Sequence, residues 1–334
     1  MDLELKKSNT AYKESENSYF THLKSKIIFI PVSFILVLLA HHFIPNEQLL
    51  SVNQQYSYLL ISLVFLSIVL ITVGLKLKKL FKWLEYNTSY IIFISILLIV
   101  WELFTQKLNL LPMPFFPSPV KIFEAVYNDY GLLAFSTAHS VRLLVIGFVI
   151  GAFVGFITGI LLGWYQKFRY WVNPFLKFIG PVPATAFIPV VLVVFPSSFT
   201  ASIFLIALST WFSVAIMTWT GIATVKDEYF EVAKTLGADE KYLIYRVAIP
   251  AAFPQIFVGL FMGLGSSFGT LVVAEMLGVK AGLGWYIQWA QGWAEYYKVY
   301  TALLVMAVLF STIITLFFKF RNRVLIYQKG DMKW

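Results

Sequence analysis

Eight apolar runs, each long enough to cross a lipid bilayer as a helix, constrain this chain more than any other feature. A spanning helix needs about 20 mostly apolar residues. Runs of that order lie near residues 26–45, 57–75, 89–106, 137–164, 175–196, 199–222, 252–276 and 299–319. Only 13% of the 334 residues are charged, against about 25% in soluble domains. We therefore predict an all-α polytopic membrane protein with about eight transmembrane helices.

The lysines and arginines predict how these helices are oriented. If both termini are cytoplasmic, 21 of the 26 basic residues fall in cytoplasmic segments, as the positive-inside rule requires. The net charge of +9 follows this topology and forms no basic patch, so nucleic acid is not an expected partner. The first 25 residues are polar and lack the features of a cleavable signal peptide. We expect the first span to remain as an anchor.

A charged segment at residues 224–250 interrupts the apolar pattern. Nine charged residues lie between Lys226 and Arg246, and burying them at a bilayer centre would cost on the order of 25 kcal/mol. The segment must therefore lie in water. Asp227 is predicted to cap a first helix and Gly237 to end it. One face of that helix is apolar and comprises Tyr229, Val232, Ala233 and Leu236.

A second helical run is predicted from Asp239 to a stop before Pro250, whose ring and missing N–H oppose helix continuation. Together the two runs resemble the coupling motif of bacterial ABC importer permeases. In that motif, Glu-Ala-Ala is followed after three residues by glycine, and later by Leu-Pro or Ile-Pro. The matching positions are Glu231, Val232, Ala233, Gly237, Ala238, Ile249 and Pro250. Val232 replaces the usual alanine.

The resemblance extends over roughly residues 90–334 and points in particular to the nitrate, sulfonate and taurine group of permeases. It is carried by residues 139–163, 174–195 and 272–287 as well as by the motif. It implies a type I permease core of six helices at residues 89–320, with 224–250 as the cytoplasmic coupling loop. Around this core, we expect a polar tail at 1–25, an additional N-terminal transmembrane hairpin at 26–82 and a basic tail at 321–334.

The same resemblance implies partners and a location. The chain is expected to work as a pair, a homodimer, with ABC ATPase subunits and an extracytoplasmic solute-binding protein, in the lipid bilayer of the bacterial cytoplasmic (inner) membrane. The implied function is import of a small oxyanion or organosulfonate by alternating access. ATPase coupling is assigned to Glu231, Val232, Ala233, Gly237, Ala238, Arg246 and Pro250.

The chain shows no motif for chemistry of its own. It lacks a glycine-rich loop with Lys and Ser/Thr for phosphate, and no catalytic residue set is evident. We therefore expect no enzyme activity and no cofactor on this chain, with ATP and Mg held by the partner ATPase. Absence of cysteine removes thiolate metal sites. The adjacent His41 and His42 are interpreted as lying at an outer membrane interface, not as a metal site.

Three intramembrane patterns suggest how the helices are used. A ridge of glycines spaced by four predicts close helix packing and comprises Gly147, Gly151, Gly155, Gly159 and Gly163. Pro181 and Pro183, with Pro189, interrupt the fifth run, which either lines the translocation path or is a kinked packing helix. Arg142 and Glu275 lie inside spans, where we predict a mutual ion pair. The alternative assigns Arg142 to an anionic substrate.

The sequence also predicts features of two further segments and allows alternative functions. Pro119 to Tyr130 predicts a short interfacial helix, and the glycines and aromatic residues of 278–297 form either an aromatic belt or a re-entrant turn. A rival function is an ion-coupled secondary transporter, for which Glu102, Glu275 and Arg142 are the available intramembrane groups. A membrane scaffold without transport and import of a heterocyclic vitamin or precursor are further alternatives.

Overall fold

The structure is a computed structural model that describes residues 26–46 and 54–326. All regular secondary structure in these two ranges is helical. The chain divides into two compact units, Met1–Asn128 and Asp129–Trp334. The predicted polar tail at 1–25 and most of the predicted basic tail lie outside the described residues, whereas residues 321–324 continue the last helix.

The predicted apolar runs form helices in the structure, and the fifth run is divided between two of them. The first unit contains α1 (Phe29–Phe43), α2 (Gln54–Lys76), α3 (Lys78–Glu102) and α4 (Pro119–Asn128). The second contains the helices α5 (Tyr130–Trp164), α6 (Gln166–Ile179), α7 (Ile188–Val194), α8 (Ser198–Ala223), α9 (Asp227–Thr235), α10 (Glu240–Tyr242), α11 (Ile249–Gly278), α12 (Leu283–Gly292) and α13 (Tyr296–Val324).

Six continuous helical segments in the described ranges are long and apolar enough to cross a membrane. A seventh candidate is the pair formed by α6 and the segment Ala184–Val194, which is bent by 85°. Helix α1 is apolar but has only 15 residues, or about 22 Å, so it is shorter than the hydrocarbon core. The prediction of an all-α multi-pass membrane protein is confirmed.

The first unit is built around α1, which packs against both α2 and α3. This unit therefore holds three apolar helices and not only the two of the predicted hairpin. The predicted short helix after the prolines is present as α4, and it buries Val120, Ile122 and Ala125. Its Val120 joins Val37, Tyr56 and Leu60 in one apolar cluster.

A buried polar cluster joins the ends of α1 and α3. His41 Nδ1 lies 2.6 Å from Glu102 Oε1, and the His41 side chain is fully buried. Lys107 is the last residue of a π-helical turn after α3 and donates from Nζ to the main-chain oxygens of His41, at 2.7 Å, and Ile44, at 2.6 Å. His41 is thus packed inside the protein against a carboxyl group, and its position at the outer membrane interface stays a prediction. His42 is exposed.

The second unit is organised around the contact between α5 and α8. All five ridge glycines face α8: an added methyl group at Gly147 would lie 2.7 Å from Ile206, one at Gly155 2.7 Å from Trp211 O, and one at Gly159 2.5 Å from Thr218. Absence of side chains at these positions allows the two backbones to approach closely. This is the packing role that the four-residue spacing predicts.

Helix α12 packs beside the start of α5 and the start of α13, with Leu283, Tyr286 and Ala290 completely buried. Tyr286 donates a hydrogen bond from its hydroxyl to Asp129 Oδ2 at 2.7 Å. Burial and this hydrogen bond raise the pKa of Tyr286, so the phenol remains protonated and the contact persists at neutral pH. The segment predicted as an aromatic belt or a turn thus contains a buried helix with an exposed Trp293 after it.

Candidate coupling surface and translocation path

The first part of the predicted coupling loop is the nine-residue helix α9. Asp227 is its first residue and not its cap: Lys226 occupies the N-cap position and makes no side-chain capping bond. The predicted cap at Asp227 is therefore wrong by one position. A carboxylate in the first turn still interacts favourably with the helix dipole. The side chain that does cap a helix here is Asp239, which accepts from Tyr242 N–H at 2.9 Å.

Gly237 ends α9 as predicted, with a φ of 82°. Its N–H donates to Lys234 O at 2.9 Å, and Ala238 N–H donates to Ala233 O at 3.1 Å. These two bonds form a Schellman motif, which requires a left-handed residue that glycine adopts without steric cost. The motif turns the chain sharply between α9 and α10.

One side of α9 rests on the end of α5, and the other is exposed. Phe230 meets Trp164 edge to face with ring centroids 5.7 Å apart, and Trp164 Nε1 donates to Glu240 Oε1 at 2.8 Å. On the other side, the predicted apolar face exposes 53% of Tyr229, 61% of Val232 and 83% of Leu236. Such a row of large exposed apolar side chains on one short helix is typical of a protein contact surface.

The remaining predicted coupling residues lie around this helix. Glu231 and Ala238 line a cavity of about 670 Å³ between α9 and the end of α5, together with Lys234 and Glu240. Arg246 is exposed. Ala233 is half-buried.

The predicted helix end before Pro250 is wrong. After α10, residues Leu243–Ala248 form a π-helical stretch that runs directly into α11, and Pro250 lies in the first turn of α11. Proline opposes an α-helix because its ring approaches the carbonyl four residues earlier. A wider π-helical turn just before it accommodates the ring. The exposed loop is therefore continuous with a spanning helix.

The prolines of the fifth apolar run break its helix. Helix α6 ends at Ile179, a 3-10 turn forms at Ala184–Phe187, and Pro189 lies at the start of α7. Between these helices, Gly180, Pro181, Val182 and Pro183 turn the chain through the 85° bend. Irregular backbone at membrane depth is tolerated where protein or a water-filled cavity receives its polar groups. The structure has cavities at this place.

Two adjoining cavities lie between the broken helix and α8. The first, of about 630 Å³, is lined by Pro181 and by residues of α6 and α8, including Asn173 and Lys177. The second, of about 460 Å³, is lined by Pro183 and reaches α11. Gly180 and Phe212 line both cavities. The hydroxyl groups of the second cavity belong to Thr185, Ser209, Ser213, Ser266 and Thr270.

Sequence reasoning did not single out these hydroxyl residues. A signal for them exists, because Ser209 and Ser213 on α8, and Ser266 and Thr270 on α11, are spaced by four residues within apolar spans. Spacing of this kind places two hydroxyl groups on one helix face. Ser266 Oγ donates to Ser209 O at 3.1 Å and thereby links the two helices.

Arg142 and Glu275 do not form the predicted ion pair. Glu275 is completely buried, and its Oε2 accepts from Ser140 Oγ and from Gly284 N–H, each at 2.9 Å. Arg142 is exposed, with its guanidinium 5.2 Å from the centre of the Phe199 ring. Two residues rotate an α-helix by about 200°, so Arg142 points away from the face on which Ser140 meets Glu275. Neither residue lines the two cavities.

Comparison with known proteins identifies the family. A model of the binding-protein-dependent transport system inner membrane components matches residues 147–325, which is more than half of the chain. The chain belongs to this family. The matched residues include the glycine ridge, the broken helix, the coupling loop and α11, so the sequence-based recognition of an ABC importer permease is confirmed.

Individual relatives match parts of the chain at modest sequence identity. A probable ABC transporter permease of Brucella melitensis is 31% identical over 138 residues, 41% of this chain and 56% of that protein. A putative aliphatic sulfonates transport permease of Bacillus subtilis is 29% identical over 161 residues, 47% of this chain and 58% of that protein. The chain thus spans somewhat more than half the length of these relatives. Both are named as transport permeases and not as enzymes.

A solved structure shows the same fold. The chain matches a structure of a methionine ABC transporter in inward-facing conformations with a TM-score of 0.50 and 18% identity. The match covers 59% of this chain and 98% of the other. At this identity the likeness bears on the fold alone.

Proposed function

We propose that the chain is the membrane-spanning subunit of an ATP-driven ABC importer in the bacterial cytoplasmic membrane. It imports a small solute, an oxyanion or organosulfonate, by alternating access. The observation that carries this proposal is the exposed apolar face of α9, held on the end of α5 by Phe230 and Glu240. ATP and Mg are held by a separate ATPase subunit, which docks on this face.

The contacts of α9 connect the ATPase docking surface to the membrane-spanning helices. A push on α9 reaches α5 through Trp164 and reaches α11 through the continuous helical segment Glu240–Gly278. Both helices pack against α8, which lines the two cavities. In this scheme a second copy of the chain completes the pathway, and an extracytoplasmic solute-binding protein delivers the solute. Movement of the broken helix then exposes the cavities to one side or the other.

The docking surface is tested by charge substitution on the apolar face. Leu236→Asp and Val232→Asp place carboxylates on that face, whereas Thr235→Asp changes the exposed residue beside Leu236, about 100° around the helix from it, and is the control. We expect the first two variants to lose the co-purifying ATPase and the control to retain it. Normal complex formation by Leu236→Asp would contradict the proposal.

The energy source is tested by uptake measured in proteoliposomes that contain the full set of subunits. ATP supplied on the ATPase side of the membrane should drive uptake, and dissipation of the proton gradient should leave the rate unchanged. Uptake that follows the ion gradient in the absence of ATP would instead favour the ion-coupled transporter.

A further inference from the structure

The two cavities at the broken helix are lined almost entirely by uncharged side chains. Among the described residues that line either cavity, Lys177 is the one with a charged side chain, and no carboxylate is present. We propose that Lys177 selects anions for the translocation path of this protein. The inference rests on the proposed function, which takes these cavities as part of the path.

The surroundings of Lys177 supply further donors for an oxyanion. Asn173 lies one helical turn before Lys177 and lines the same cavity, so its amide is available beside the ammonium group. In the adjoining cavity, the Thr185 and Ser213 hydroxyls have no hydrogen-bond acceptor among the described residues, and they are free to donate to a solute. An ammonium group in one cavity, with neutral hydrogen-bond donors beside it and in the next cavity, suits a small anion better than a cation.

The other hydroxyl groups of the second cavity already donate hydrogen bonds within the protein. Ser209 Oγ donates to Ile206 O at 2.9 Å, and Thr270 Oγ1 donates to Ser266 O at 3.0 Å. These bonds fix the two side chains without adding charge to the wall. A cation would enter both cavities without a counter-charge, at a cost in desolvation free energy.

Other basic residues nearby do not fill this role. Arg169 lies on the same helix as Lys177 and donates from Nε to Leu162 O at 2.7 Å and from Nη2 to Gly163 O at 2.8 Å. Its guanidinium is therefore bound to main-chain oxygens at the end of α5. Lys167 is exposed and lines neither cavity. Arg142, the residue that the sequence suggests for the anion, also lies outside both. Lys167 therefore serves as a matched control for Lys177.

The absence of cysteine from the sequence allows a direct measurement of charge selectivity. A single Ser213→Cys variant of the full chain, in membranes with its partner subunits, is labelled with two reagents of similar size. One is 2-sulfonatoethyl methanethiosulfonate, an anion, and the other is 2-(trimethylammonio)ethyl methanethiosulfonate, a cation. The measured quantity is the ratio of the two labelling rates, in which any effect on the fraction of ionised thiol cancels.

We expect Lys177→Gln, added to the Ser213→Cys variant, to lower the anion-to-cation ratio roughly tenfold and Lys177→Arg to preserve it. Lys167→Gln should leave the ratio unchanged, as should either lysine substitution when the thiol is instead introduced by Thr235→Cys on α9. An unchanged ratio in Lys177→Gln, or no labelling of Ser213→Cys by either reagent, would overturn the inference. Labelling does not require coupling to ATP hydrolysis, so its outcome is independent of the ATPase docking and uptake tests.

Discussion

Removal of the Glu275 carboxyl group should destabilise the protein because it anchors two helices to a third. Its Oε2 accepts from Ser140 on α5 and from the Gly284 N–H at the start of α12. Ser140 Oγ in turn accepts from Leu283 N–H at 2.9 Å. Glu275→Ala therefore leaves two buried donors without an acceptor. At about 1–3 kcal/mol for each, we expect the free energy of unfolding to fall by about 2–6 kcal/mol.

The assay is the thermal unfolding midpoint of the purified protein in detergent, followed by intrinsic tryptophan fluorescence. Glu275→Gln keeps the size and one acceptor oxygen and should lower the midpoint less than Glu275→Ala. Ser140→Ala should also lower it, and the effects of Ser140→Ala and Glu275→Ala should be non-additive because they share a hydrogen bond. Arg142→Gln should neither change the midpoint nor rescue Glu275→Gln. Rescue by Arg142→Gln would show that the two residues are an ion pair after all and would refute the reasoning.

Three further substitutions test other parts of the structure. Gly237→Val should reduce co-purification of the ATPase strongly because a β-branched residue resists positive φ, whereas Gly237→Asn, which tolerates this conformation, should retain it; equal binding by both would contradict the left-handed turn. Gly151→Leu should cost about 1–3 kcal/mol of stability by forcing α5 from α8, while Gly131→Ala, where an added methyl group meets nothing within 4 Å, should be neutral or slightly stabilising in the same unfolding assay. His41→Ala should cost about 1–3 kcal/mol by removing the 2.6 Å contact of His41 with Glu102, and His42→Ala should change little; an equal midpoint for the two would indicate that the His41–Glu102 contact contributes no stability.

The sequence predicts best those features that depend on local geometry. Gly237 can be assigned a left-handed turn because few other residues adopt one, and glycines spaced by four on α5 indicate a close helix contact whichever helix supplies it. Three prolines within nine residues likewise indicate a break in the fifth run. These inferences concern the bonds and sterics of adjacent residues, which the sequence specifies directly.

Features that depend on tertiary partners are harder to predict. Arg142 and Glu275 have opposite charges and lie in spans, but which residue faces Glu275 depends on the rotation of α5, and there Ser140 points at the carboxyl group. The continuation of the helix through Pro250 depends on a π-helical stretch that no proline rule anticipates. His41 is buried because the end of α3 and the turn after it supply Glu102 and Lys107, 61 and 66 residues further along the chain.

The glycine ridge has a mechanical consequence for the second unit. Helix α5 has 35 residues and is about 52 Å long, which exceeds the roughly 30 Å hydrocarbon layer. Because the glycines at 147–163 lie against the backbone and the β-branched side chains of α8, which have few χ1 rotamers, we expect the two helices to move as one rigid body. Bending is then concentrated at residues 180–183, where prolines break the helix and no glycine ridge is present. A displacement of a few ångströms at Trp164 would therefore be transmitted in full to the other end of α5.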